Sequence, residues 1–162
     1  SNPTRLRAGN IPHPPALSPV RLITRISTAI LDMSIPKKIP IRLMPDLHTA
    51  NVGRCADGTQ FFLNEFDEGS TVVFVLYRFE SDGRYLDHIV RRTDGTRSAA
   101  VSAELLAKLE NPECCDIAVK PFRVSVDGEV YGLLVDAEHE CVNLQPHYQI
   151  TFMNPWDGEY CT

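Results

Sequence analysis

Five cysteines, Cys55, Cys114, Cys115, Cys141 and Cys161, and the histidines near the fourth are the side chains best suited to chemistry in this chain. His139 and Cys141 lie two residues apart, so on a strand they would share a face, and His147 follows a few residues later. Imidazole nitrogen and thiolate sulfur are the ligands a tetrahedral zinc ion takes, which makes His139, Cys141 and His147 candidate metal ligands. Their spacing matches no standard zinc pattern, and the competing reading is that the thiols simply pack. A cysteine nucleophile would need a thiolate-stabilising setting such as a helix N-terminus or a nearby cation. Cys114 and Cys115 instead follow a predicted helix, where the dipole has the wrong sign. Cys141 stands among Glu138 and Glu140, which disfavour a thiolate. There is no Gly-x-Ser-x-Gly elbow and no glycine-rich phosphate loop. No catalytic residue and no cofactor is therefore assigned.

Two further groups suit binding. Asp136, Glu138 and Glu140 alternate around His139, and on a strand they would make one acidic face. Such a face is either a solvated edge that resists aggregation or a docking patch for a basic partner. The tail Pro155-Trp156-Asp157-Gly158-Glu159-Tyr160 holds the only tryptophan. Trp156 and Tyr160 are of the types enriched at interface hot spots, and of the types that tie a tail back onto its domain. Arg91, Arg92 and Arg97 make a small basic loop without interleaved aromatics, a poor nucleic-acid site.

The elements that must position these groups are marked by turns. Five glycines follow an aspartate, at Asp57-Gly58, Asp82-Gly83, Asp94-Gly95, Asp127-Gly128 and Asp157-Gly158. Asp-Gly suits the positive φ values of a type I′ turn. Three hairpins are expected: Val52–Ala56 with Thr59–Phe66, Thr71–Phe79 with Arg84–Arg92, and Phe122–Val126 with Glu129–Asp136. Val72–Tyr77 is apolar without a break, as a strand covered on both faces should be. Cys141–Leu144 and Tyr148–Phe152 read as two more strands. Val101, Leu105 and Leu109 recur every four residues, which predicts a helix over Ser98–Glu110, with Ser98 as its N-cap and Asn111-Pro112 as its stop. It should cover Val72, Phe74 or Leu76. The expected fold is α+β, a mainly antiparallel sheet of Asp-Gly hairpins with one covering α-helix.

Composition supports one such domain. The chain has 162 residues, 43% apolar and 23% charged, enough for a packed core. No stretch approaches the ~20 apolar residues of a spanning helix, so stable membrane insertion is not expected. The net charge of −5 argues against nucleic-acid binding. An odd cysteine count without a secretory signal points to free thiols in a reducing compartment, the cytoplasm. Charge is uneven. Residues 1–33 carry Arg5, Arg7, Arg21 and Arg25 against Asp32 alone, and residues 34–162 carry a net of −8. Five prolines in the first twenty residues bar them from a sheet or helix interior. Val20, Ile23, Ile26, Ile30 and Leu31 then fall near one helical face, the pattern of a transit peptide, a membrane-surface segment or a separable leader. Residues 1–33 are read as a flexible or separable basic leader, with Met33 a plausible true start, and 34–162 as the domain.

Several strings carry a family resemblance: Ile39-Pro40-Ile41, Val52 through Phe62 with its Gly53-Arg54-Cys55, the strand Val72–Phe79, Cys115 through Phe122, and the ending Pro155 through Thr162. In order and spacing they resemble a family of small bacterial proteins labelled formate hydrogenlyase regulatory protein (HycA-like), over roughly residues 35–162. The resemblance implies an intracellular, non-catalytic regulatory role through an unidentified protein partner, and brings no catalytic residues with it. Two positions depart from the family pattern: Cys55 stands where relatives have Tyr, and Cys161 where they have Asp. Two other readings stay open. A small acidic α+β protein also suits a toxin-neutralising immunity protein, and His139, Cys141 and His147 would suit a small metal- or thiol-dependent enzyme.

Overall fold

The unbroken apolar run Val72–Tyr77 lies in the second strand of a five-stranded antiparallel sheet, with side chains buried on both faces. The computed structural model describes residues 34–162, so the basic leader expected at 1–33 lies outside the described residues. Among the described residues, eleven strands and one α-helix follow in chain order. They are β1 (Ile39–Ile41), β2 (Val52–Arg54), β3 (Gln60–Glu68), β4 (Thr71–Phe79), β5 (Tyr85–Asp94), α1 (Ser98–Leu106), β6 (Glu113–Cys114), β7 (Ile117–Val119), β8 (Phe122–Val126), β9 (Glu129–Asp136), β10 (Cys141–Gln145) and β11 (Thr151–Met153). The fold is α+β, as expected. One sheet has the order β5-β4-β3-β2-β6, a second β11-β10-β9-β8, and β1 pairs with β7.

The three expected hairpins form. Asp127 and Gly128, with φ of 50° and 82°, make the two-residue turn between β8 and β9 that the right-handed strand twist favours. Another hairpin, β3 to β4, turns on Gly69-Ser70 without an aspartate. Asp94-Gly95 does not turn a hairpin. The Asp94 side chain accepts from the Thr96 N–H at 3.0 Å and caps a short 3-10 turn, Gly95–Arg97, that runs into α1. Asp94 thus takes the capping role expected of Ser98. The helix is also shorter than the predicted Ser98–Glu110. Beyond Leu106 the chain tightens to i→i−3 bonds, Lys108 to Leu105 and Leu109 to Leu106, which still carries Leu109 into the core. The last strand is Thr151–Met153 rather than Tyr148–Phe152, because the residues before it form a turn.

Alternation along β4 divides the buried side chains into two cores. Val73, Val75, Tyr77 and Phe79 face the four-stranded sheet, meeting Tyr131, Leu133, Val142, Leu144 and Phe152. Val72, Phe74 and Leu76 face α1, meeting Val101, Leu105 and Leu109. All three strand residues named for helix contact are used. The layers are therefore helix, five-stranded sheet, four-stranded sheet. Each fully buried Leu or Phe contributes about 1.5–3 kcal/mol, so both interfaces are substantial.

One polar side chain stitches the small β1–β7 pair to this frame. Buried Gln60 donates Nε2–H to the Ala118 carbonyl at 3.0 Å and accepts the Ala118 N–H at 3.0 Å, imitating a strand pairing. Gly132, at φ 127°, lets β8 approach, because a Cβ there would lie 2.2 Å from the Phe122 carbonyl oxygen.

Candidate functional site

The chain does not bring His139, Cys141 and His147 together. β9 ends at Asp136, and residues 137–140 form a turn rather than a continuing strand. His139 is exposed in that turn. It donates Nδ1–H to Asp136 at 2.8 Å, and Asp136 also accepts the His139 backbone N–H at 3.1 Å. This bond holds the Asp136 carboxyl below its ordinary range and the His139 imidazolium above its own. Cys141 opens β10 and is buried, and burial pushes its thiol up, away from the thiolate. His147 sits in the β10–β11 connection and faces Glu129. The shared strand face assumed for His139 and Cys141 fails because the strand stops one turn too early.

The same turn changes the acidic group. Asp136, Glu138 and Glu140 do not line one strand face; they ring a tight turn in which Glu140 takes φ 51°. Glu138 and Glu140 are exposed, and Asp136 is half-buried. Beside them lies a shallow groove on the outer side of the four-stranded sheet, lined by Leu134, Val135, Asp136, Asn143, Gln145 and Tyr148. Its apolar part is open to solvent: Leu134 is half-buried and Tyr148 is 68% exposed. Met153 stands 40% exposed on β11, in register with Cys141 and through it with Asp136. Between these groups Thr151 donates its hydroxyl to Asn143 at 2.6 Å. The site is thus a carboxylate rim around exposed aromatic and aliphatic side chains on a rigid sheet.

Trp156 and Tyr160 lie elsewhere and hold the tail. Both are partly buried against the inter-sheet core. Tyr160 accepts the His48 backbone N–H at 2.8 Å through its hydroxyl and packs edge-on against Phe152. The Arg42 N–H donates to the Gly158 carbonyl, and Thr151 and Cys161 exchange backbone bonds at 2.9 Å. The exposure of Tyr148 was not foreseen, because the alternation Tyr148–Ile150–Phe152 places it inside a strand rather than in a turn. The pairing of His147 with Glu129 was missed because they lie on different segments of the fold.

Comparison of the chain with protein families, with curated proteins and with solved structures finds no match. The helix among the described residues is not long and apolar enough to cross a membrane.

Proposed function

We propose that this domain is a non-catalytic protein-binding module of the cytoplasm that docks a basic partner on the outer face of its four-stranded sheet. The regulatory role implied by the resemblance to formate hydrogenlyase regulatory proteins is of this kind. The observation that carries the reading is the juxtaposition of exposed Tyr148 and half-buried Leu134 with the acidic turn Asp136–Glu140. An exposed aromatic beside an aliphatic offers a desolvated anchor, and the carboxylates supply steering and orientation toward a positive surface. Trp156 and Tyr160 serve the domain as anchors of its own tail.

The test replaces Tyr148 in the full chain with a photo-crosslinking amino acid and, as control, Glu104 on the exposed side of α1. A single partner trapped from position 148 and not from 104, whose purified complex weakens in high salt and on Tyr148→Ala, is the expected result. Equal trapping from both positions, or none from 148, overturns it. The identity of the trapped protein separates a regulator's target from a toxin.

A further inference from the structure

His147 does not reach Cys141, yet it meets two carboxylates from other segments. Its Nε2 lies 3.7 Å from Glu129 Oε1. These two atoms and a carboxylate oxygen of Glu68 all fall within 4.8 Å of one another. Glu68 ends β3, Glu129 begins β9, and His147 belongs to the β10–β11 connection, so both sheets contribute to one end of the sandwich. A third carboxylate nearby, Asp127, is engaged by Arg92 at 3.3 Å.

The layer beneath is what distinguishes this cluster from a chance gathering of surface charges. Phe66 lies under it, edge-on to His147 and tilted against Tyr131, with ring centroids 5.8 and 6.1 Å away. Tyr131 is wholly buried and its hydroxyl has no hydrogen-bond partner. Alternation puts Tyr131 on the same strand face as Glu129, two residues on, and Phe66 on the same face as Glu68. Burial acts most strongly on the Tyr131 phenol, followed by the Arg92 guanidinium and then the Glu129 and Glu68 carboxylates. Arg92 can only donate to that oxygen, so the buried O–H has no acceptor, and the two carboxylates are the groups in this layer that can accept it.

We propose that Glu68, Glu129 and His147 form a site for a borderline divalent cation, zinc above all, with the Tyr131 hydroxyl supporting it from below. One imidazole nitrogen and two carboxylate oxygens are a donor set that zinc and manganese accept. Tetrahedral bonds of about 2.1 Å place donors about 3.4 Å apart, so the cluster needs only a modest contraction, which the exposed Glu68 side chain allows. Two carboxylates this close repel one another, and a cation between them removes that repulsion. Tyr131 then donates its O–H to a ligating carboxylate or to a metal-bound water, the usual part of a group behind the ligands. His147 adjoins Tyr148 in sequence, but none of the three ligands lines the docking groove, and the site does not depend on it.

The experiment is calorimetric titration of the full chain, purified without a polyhistidine tag and stripped with chelator, using zinc chloride. Cobalt(II) serves as a spectroscopic probe, because thiolate ligation adds a charge-transfer band that a nitrogen–oxygen site lacks. One equivalent per chain without that band is expected. Glu68→Gln, Glu129→Gln and His147→Ala should each weaken binding by at least ~10-fold, and Tyr131→Phe by about 10-fold, while His139→Ala changes nothing. Glu68 and His147 are exposed, so their variants keep the fold. No saturable binding, binding that survives His147→Ala and Glu129→Gln, or a thiolate band overturns the proposal.

Discussion

The two large sheets share one core, but what lies behind each of them differs. Behind the five-stranded sheet Val72, Phe74 and Leu76 are covered by Val101, Leu105 and Leu109. Behind the four-stranded sheet lie Leu134, Asn143, Thr151 and Met153, and no described helix packs there. The first arrangement reads as a continuous apolar run, the second as alternation with polar residues outward. The difference separates a face covered for stability from one left open to solvent, where docking is proposed.

The largest effect is expected at the covered face. Phe74→Ala should cost about 3–5 kcal/mol in denaturant unfolding, shifting the midpoint with little change in slope. Tyr148→Ala on the open face should stay within about 0.5 kcal/mol. A comparable loss at both positions would erase the contrast.

Next comes the close approach within the open sheet. Gly132→Ala places a Cβ against the Phe122 backbone at a φ of 127°. A loss of about 1–3 kcal/mol is expected from strain alone, read as a lower melting temperature. An unchanged temperature would show that β8 can move away.

Between the sheets, Tyr77 is fully buried with an unpartnered hydroxyl, and burial holds that phenol far above its ordinary pKa. Tyr77→Phe removes an unsatisfied group while keeping the ring, and should stabilise by about 1 kcal/mol. A loss of stability in the same denaturation assay would mean that a buried water serves the hydroxyl.

The smallest effect concerns the acidic turn. The folded pKa of His139 is raised, so its contribution is fully present below the unfolded value near 6.5 and is lost as pH rises through the folded value. That of Asp136 is lowered, so its contribution is present above the unfolded value of 3.8 and lost as pH falls through the folded one. The turn should be tightest between those two folded values. NMR titration of His139 should show a midpoint above 6.5 that returns toward it in Asp136→Asn.

Much of the fold was legible. Asp57-Gly58, Asp82-Gly83 and Asp127-Gly128 turn hairpins because glycine takes the positive φ at low cost, a preference carried by the residues themselves. Val101, Leu105 and Leu109 marked the helix and its buried stripe. Asp94-Gly95 misled, because the same aspartate that suits a turn also caps a helix. The site was less legible. The acidic residues were visible, but whether Ala137–Glu140 continued the strand or broke it hung on how β9 and β10 join. His147 was singled out for the wrong partners, since Glu68 and Glu129 stand far from it in sequence.

Local chemistry therefore determined the hairpins, the doubly buried β4 and the covering helix, because turn preference and side-chain period act over a few residues. The tertiary structure alone decided that Glu68, Glu129 and His147 meet above Tyr131 and that Tyr148 stands open beside an acidic turn. Such meetings join segments whose proximity follows from how the two sheets pack, and sheet packing leaves no short-range mark on the chain.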